Sequence, residues 1–458
     1  MSHGMPLPQI TETMWQIVSA KDKEAVAITV RNTALRLSSD AILRIAFVSS
    51  KKQVTHPENA YWHPLGIAQG DSGLALLFGQ MNLCMPKDGW DRHAHVALKR
   101  ASENLFYCQE FGLHAGIFGF AYTTLYLSND GTRYKKLLTS LDQALVAKMA
   151  RQCDQFLPEA NYFSVDVWDV ISGLSGMARY LIERKDNPDL RSVLAQVLKC
   201  LVHLSEDRNG VPRWFTPPEL SPGESMKEMY PNGSLNCGMA HGIPGPLAAL
   251  SLAKIHGVCV DGQEAAIRKI ADWLLSHRLD DKYGMNWPSA IAVKNLGTST
   301  APKYVETTEG LHTTHTGWCY GPSGVAVALW HAGVALNDQN YKDKAIAIMR
   351  SVLARPISER KLFNPGLCHG FAGQLQIALR FYNYTGLEEF ADEARALVKL
   401  LLEKYYKPDT LLGFQSYEAE GKAIDQPGLL DGAPGVILAL LSACTDVEPK
   451  WDQIFMLS

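Results

Sequence analysis

The chain has little that would fix it in a membrane or on a polyanion. Its longest apolar stretches, 432–443 and 325–336, fall short of the ~20 residues that a bilayer span needs, and His331 interrupts the second. An integral membrane protein is therefore not expected. Charge of one sign is missing too: 44 basic against 47 acidic residues leave a net charge of −3, with no positive field to hold a nucleic acid. Residues 1–12 lack the basic start and apolar run of a secretory signal, so a cytoplasmic location is expected. Nine cysteines, an odd number scattered over 458 residues, do not form the dense even set of a disulfide scaffold. With 47% hydrophobic and 20% charged side chains, disorder and collagen-like order are also excluded.

What is present is a repeat. Seven times a Gly-x-x-Gly tetrad opens an apolar run: Gly70-Asp-Ser-Gly73, Gly116-Ile-Phe-Gly119, Gly173-Leu-Ser-Gly176, Gly242-Ile-Pro-Gly245, Gly321-Pro-Ser-Gly324, Gly370-Phe-Ala-Gly373 and Gly432-Ala-Pro-Gly435. The runs that follow are apolar nearly all round and suit inner helices buried on several sides. Between them lie amphipathic segments such as 262–278, where Ile267, Ile270, Ala271 and Leu274 share one face. These suit outer helices, and the glycines let the chain turn tightly and helix starts pack closely. The last tetrad has too little chain after it for a clear outer partner, which the N-terminal segment 21–39 can supply. Closure of this kind predicts an all-α toroid of seven inner and seven outer helices, one domain over 1–458, in place of a capped solenoid. Two intervals exceed a helix pair: 207–234, rich in proline and glycine, and 280–317, with β-like runs at 285–293. The second reads as a small β-containing insertion and a place for ligand recognition.

Equivalent turns in a ring face one opening, so residues at matched positions converge. Just before the first glycine stand Gln69, Ala115, Ser172, His241, Tyr320, His369 and Asp431; one place earlier stand Ala68, His114, Ile171, Ala240, Cys319, Cys368 and Leu430. Reactive groups therefore gather in the fourth to sixth repeats. Cys319, Cys368 and His369 are candidate ligands for one Zn²⁺ with an open fourth position. His241 suits a general acid or base, or a hydrogen bond at a helix start. Cys237 is a weaker metal candidate because Gly238 argues against a regular helix there. Asp169, four residues before its tetrad, reaches the same opening. Either Asp169 or Asp166 could orient an imidazole or cap a helix, and the residues alone leave that choice open.

Trp168-Asp-Val-Ile-Ser-Gly-Leu-Ser-Gly176, Pro231-Asn-Gly, Ala240-His-Gly-Ile-Pro-Gly-Pro-Leu247, Trp318-Cys-Tyr-Gly321 and Cys368-His-Gly370 together resemble the lanthionine synthetase C-like proteins, and within them the bacterial lanthipeptide cyclases. The resemblance spans about residues 64–443. It implies a seven-fold α/α toroid, one catalytic zinc on Cys319, Cys368 and His369, and active-site residues at His241 and Asp169, which selects Asp169 over Asp166. One departure stands out: family members commonly carry arginine four residues before the first cysteine ligand, where this chain has His315. Tyr320 matches the usual Cys-Tyr-Gly.

The reaction so implied is addition of a peptide cysteine thiol to dehydroalanine or dehydrobutyrine, forming a lanthionine or methyllanthionine thioether. His241 then acts as the acid at the α-carbon, with Asp169 setting its protonation or accepting the thiol proton, and the two roles are exchangeable at this stage. Tyr320 and His315 are candidate donors to the enolate. The implied partners are the dehydrated precursor peptide and, by analogy, a dehydratase and a membrane exporter that would hold the enzyme peripherally at the membrane. Three alternatives compete: glutathione addition to dehydroamino acids, as in the eukaryotic-type branch; a non-catalytic, zinc-stabilised peptide-binding scaffold, favoured only by His315; and a glycan-processing toroid, which would need two placed carboxylates where the turns offer mainly Cys and His.

Overall fold

The computed structural model describes residues 15–54, 62–156, 162–298, 302–417 and 421–458; the segment 1–12 read above for a secretory signal and the stretch 299–301 of the expected insertion lie outside them. In chain order the helices are α1 (Lys23–Leu37), α2 (Asp40–Gln53), α3 (Asp71–Cys84), α4 (Trp90–Ser102), α5 (Ile117–Tyr126), α6 (Lys135–Phe156), α7 (Leu174–Glu183) and α8 (Pro188–Leu204). They continue with α9 (Glu224–Met229), α10 (Pro244–Ile255), α11 (Gln263–Ser276), α12 (Pro322–Ala335), α13 (Gln339–Leu353), α14 (Phe371–Thr385), α15 (Glu388–Leu400) and α16 (Ala433–Cys444).

Each Gly-x-x-Gly tetrad starts an inner helix, and the inner helices pack in the cyclic order α3, α5, α7, α10, α12, α14, α16 and back to α3. The ring is closed. Every residue of α16 is buried, as an all-apolar inner helix requires. The outer helices α4, α6, α8, α11, α13 and α15 are amphipathic: α15 buries Phe390, Ala391, Ala394, Leu397 and Val398 at helical spacing. The seventh outer position is taken by α1, which packs on α16. The expected seven-plus-seven toroid is thus observed, with α2 and α9 added.

Why glycine opens these helices is a matter of space more than of dihedral freedom. A Cβ on Gly73 would lie 2.1 Å from the Ile67 carbonyl oxygen, and one on Gly373 2.0 Å from that of Leu367. Of the seven first glycines only Gly321 also has a positive φ, 93°. The turns are bonded to one another. Ala68 N–H donates to His114 O (3.0 Å), His114 N–H to Ile171 O (3.1 Å), Val170 N–H to Ala240 O (3.1 Å), Ala240 N–H to Cys319 O (3.3 Å) and Cys319 N–H to Cys368 O (3.1 Å). Cys368 N–H then donates to Leu430 O and Leu430 N–H to Ala68 O, each at 3.1 Å, which completes the circuit.

Links from outer to inner helix all fall on the side of the inner helix starts, and they are long; links back are short, such as 336–338 and 386–387. One face therefore carries nearly all the irregular chain. On it a three-stranded antiparallel sheet forms from β3 (Ser234–Asn236), β4 (Ala290–Asn295) and β5 (Tyr304–Thr307), after a small hairpin of β1 (Asp207–Arg208) and β2 (Val211–Pro212); another pair, β6 (Ser416–Tyr417) and β7 (Ala423–Ile424), precedes the last turn. The expected strand at 285–293 lies slightly later, at 290–295, and pairs with β3 from the other long interval.

The centre of the ring is filled by the chain's own end. Residues 450–458 enter the lumen, where Tyr122 O–H donates to Lys450 O, His114 and His331 donate Nε2–H to Ile454 O and Met456 O, and Trp318 Nε1–H donates to Phe455 O (2.9 Å). Burial pushes both histidines down to about 4, so they are neutral donors. At the base of this plug Asp452, fully buried, accepts from Arg380 Nε (2.7 Å) and Nη2 (2.8 Å), from Gln376 (2.7 Å) and from Ser458 Oγ (2.9 Å). Breaking one side of a buried pair strands the other charge, so Asp452→Ala is expected to cost about 3–5 kcal/mol in chemical denaturation. A midpoint unchanged from wild type would show that the plug does not hold the ring.

Candidate metal centre and active site

Two adjacent turns of the circuit bring three donor atoms together. Cys319 Sγ, Cys368 Sγ and a ring nitrogen of His369 all lie within 4.8 Å of one another, the one such cluster of His, Cys, Asp or Glu among the described residues. Their spacing follows from the main chain, because Cys319 N–H donates to Cys368 O. A Cys₂His set suits Zn²⁺ and leaves a fourth position for another ligand. The thiols behave as an interacting pair: hydrogen bonding from Cys368, with further bonds from His315 and His369, holds Cys319 below the ordinary thiol range despite its burial, while Cys368 is pushed up. Both thiols must give up their protons to serve as thiolate ligands, and Cys319 is the readier of the two. The residues fit the metal.

Around these ligands the structure gathers the other predicted side chains. His315 accepts the Gly317 N–H at Nδ1 (3.0 Å), which fixes its neutral tautomer with the proton on Nε2, and Nε2 lies 4.0 Å from Cys319 Sγ. It stands where the family's arginine was expected, as a neutral donor to a ligand sulfur. Tyr320 meets the His315 ring edge-on at 6.4 Å, and its hydroxyl accepts from Asn236 Nδ2 (3.1 Å). Burial pushes the phenol up to about 12, so the proton stays on and, with Asn236 serving the oxygen, is free to be donated. Asp431 lies 3.8 Å from His369 Nδ1, at ion-pair distance behind the third ligand.

The fourth and third repeats supply the remaining pair. His241 Nδ1–H donates to Asp169 Oδ2 at 2.6 Å, and Asp169 Oδ1 accepts the Ser172 and Gly173 N–H groups at 2.7 and 2.8 Å. Asp169 is fully buried and engaged at both oxygens, so it acts as an acceptor. Burial alone would push His241 down; the hydrogen bond and charge of Asp169, helped by Cys319 and Asp166, outweigh it and hold the imidazole above its ordinary value. Asp166 itself is exposed on the surface. Cys237, the weaker metal candidate, is buried apart from the cluster, and burial raises its thiol.

Asn236 was not singled out by sequence reasoning, and Asp431 was noted only as an acid at the mouth. A further matched position in the repeat singles out Asp169. Four residues before the first glycine stand Gly66, Gly112, Asp169, Gly238, Gly317, Gly366 and Gly428. At the glycines a Cβ would strike the next turn, as at Gly238, 2.6 Å from Cys319 O, and Gly366, 2.9 Å from Asp431 O. The lone side chain in this column belongs to Asp169, and it meets the next turn at His241.

Comparison with known proteins agrees with this geometry. A family model described as "Lanthionine synthetase C-like protein" matches residues 61–456. The curated protein "Nisin biosynthesis protein NisC" of Lactococcus lactis subsp. lactis is 28% identical over 333 residues, 72% of either chain. A solved structure titled "Nisin cyclase" superposes with a TM-score of 0.75 at 21% identity, covering 95% of this chain and 98% of its own, a likeness of fold.

A histidine whose pKa is raised by folding adds stability that is fully present below its unfolded value of ~6.5 and is lost as pH rises through the folded value. For His241, NMR titration of the ring should give a midpoint above ~6.5, and Asp169→Asn should bring it below, since burial would then act with little opposition. Identical midpoints in the two proteins would remove the coupling.

Proposed function

The chain belongs to the lanthionine synthetase C-like family, and from that premise we propose that it is a zinc-dependent lanthipeptide cyclase, joining a peptide cysteine thiol to dehydroalanine or dehydrobutyrine in the same peptide. The observation that carries this reading is the Cys319–Cys368–His369 donor set on the same ring mouth as the His241–Asp169 pair. The name of the curated relative, a nisin biosynthesis protein, points the same way.

Zinc on these three ligands would favour the thiolate of a substrate cysteine bound at its open position. The sulfur attacks the β-carbon, the C=C pair moves onto the carbonyl as an enolate, and a proton then returns to the α-carbon. Product and substrate are isomers, so no oxidant or leaving group is involved. His241, held protonated toward neutral pH by Asp169, has the charge state for that α-carbon protonation, and its Nε2 has no hydrogen-bond partner among the described residues. Asp169 positions the imidazole. Tyr320 offers its hydroxyl proton to the enolate oxygen, and His315 tempers the charge on the Cys319 sulfur without bringing a permanent cation to the site.

The substrate in this reading is a dehydrated precursor peptide, and assembly with a dehydratase and a membrane exporter, with peripheral attachment at a cytoplasmic membrane face, belongs to the same proposal. None of the helices among the described residues is long and apolar enough to cross a membrane.

Two experiments test it. Metal analysis should find about one zinc per chain, lost in Cys319→Ala, Cys368→Ala and His369→Ala; a wild type that stays metal-free after zinc is supplied removes zinc from the reading. With a dehydrated peptide, cyclisation read as loss of the alkylatable thiol at constant mass should slow about 10²–10⁴-fold in His241→Asn. Addition of free glutathione in preference to the peptide's own cysteine would transfer the reading to the glutathione-adding branch, and peptide binding without either reaction would leave a scaffold.

A further inference from the structure

A cleft of about 670 Å³ opens between the second and third turns, lined in part by Phe111, Lys148, Arg151, Asp166, Ser172 and Met177. It borders the third turn, which carries Asp169. Ser172 occupies in the third turn the place His241 holds in the fourth, and its N–H donates to Asp169 Oδ1. The charge of Asp166 reaches His241.

The charges are arranged by sign. Glu110, whose side also borders the cleft, and Asp166 lie on the loops that lead into the two turns, whereas Lys148 and Arg151 lie on α6, the outer wall. None of the four forms an ion pair with another described residue. Lys148 Nζ instead sits 3.8 Å above the Phe111 ring, and Arg151 faces solvent. Earlier in the same loop Phe106 and Tyr107 are 92% and 79% exposed and stack edge-on against each other, with ring centroids 5.5 Å apart. Apolar rings this open, in the loop that runs on to Glu110 and Phe111 of the cleft, suit contact with a partner that has apolar side chains of its own.

We propose that this cleft is a subsite for the substrate peptide, holding the extended segment that flanks the reacting residues, with apolar side chains on Phe106, Tyr107 and Phe111 and a carboxylate on Arg151. The acidic inner wall turns peptide carboxylates away from the turns and the basic outer wall receives them, so the cleft sets the direction in which the chain crosses the mouth. The inference rests on the cyclase reading for the identity of its occupant.

The test uses zinc-loaded protein and two fluorescein-labelled synthetic peptides: dehydroalanine-Gly-Gly-Cys alone, and the same core extended at each end by six residues that include Leu and Glu. Fluorescence anisotropy should show the long peptide binding about tenfold tighter than the short one. That gain should shrink about fivefold in Arg151→Glu and in Phe106→Ser. Lys87→Glu, a charge reversal in the link 85–89 on the opposite face, should leave it unaltered. Equal affinity for the two peptides, or Arg151→Glu and Phe106→Ser binding as wild type does, or an equal loss in Lys87→Glu, would overturn the subsite. Thiol alkylation of the same samples separates the two readings: binding with the predicted pattern but no cyclisation keeps the cleft and removes the cyclase, and cyclisation without the pattern does the reverse.

Discussion

The circuit of amide–carbonyl bonds from turn to turn is the constraint on which the rest of this protein depends. Each turn donates to the next and accepts from the one before, so none can shift without disturbing two bonds. One such bond contributes only about 0.5–1.5 kcal/mol, so the larger effect is geometric. Carbonyls this near the helix starts exclude a Cβ from the tetrad glycines, which is why glycine recurs at matched places around the ring. The same bonds fix where the side chains just before each tetrad point. The two sulfurs of the candidate metal centre lie on turns joined directly by Cys319 N–H to Cys368 O, so a general device of the fold sets the spacing of this donor pair.

Much of that was legible in the residues because the ring writes its period into them. Seven tetrads, apolar runs after each and a missing last partner were enough to place α1 against α16 before any coordinates. Residues 450–458 were not legible, for a physical reason. They form no amphipathic period, and their burial is decided by partners from 114 to 384 that belong to three distant repeats, the second, fifth and sixth. Strand β3 was hidden for the same reason, since it finds β4 across the whole of α10 and α11. The candidate metal ligands and His241 were visible as columns in the repeat, but Asn236 was not, because what matters is the 3.1 Å contact of its amide with Tyr320, between turns.

Asp169 shows how function departs from the repeat. Six of the seven turns carry glycine where it stands, since the next turn leaves no room for a side chain. A carboxylate there is admitted only if it bonds to what it meets, and Asp169 does so on both sides: Oδ1 takes the Ser172 and Gly173 N–H groups of its own turn, and Oδ2 takes His241 of the next. A position that is steric everywhere else becomes electrostatic here, and the cost of burying the charge is offset by three hydrogen bonds. Asp169, not Asp166, is the carboxylate that stands in this column of glycines.

The histidine at 315 raises the opposite question, of a family feature exchanged. Arginine would bring a fixed positive charge beside the ligands, drawing electron density from Cys319 and attracting a developing enolate alike. His315, with Nδ1 tied to the Gly317 N–H, brings one neutral N–H at 4.0 Å from the sulfur. Charge stabilisation in the proposed reaction then rests on Tyr320, next to Cys319 on the same turn, and on the raised His241. Tyr320 is prepared for it, since Asn236 occupies its oxygen and burial keeps its proton in place. With less positive charge beside the proposed zinc, the Cys319 sulfur would stay richer in electron density and a substrate thiolate less tightly neutralised, and so a stronger nucleophile. In this reading the acid for the α-carbon and the donor for the enolate stand on the turns of repeats four and five, and Asp169, which positions the acid, stands on the third turn, which also borders the cleft from which the peptide would enter.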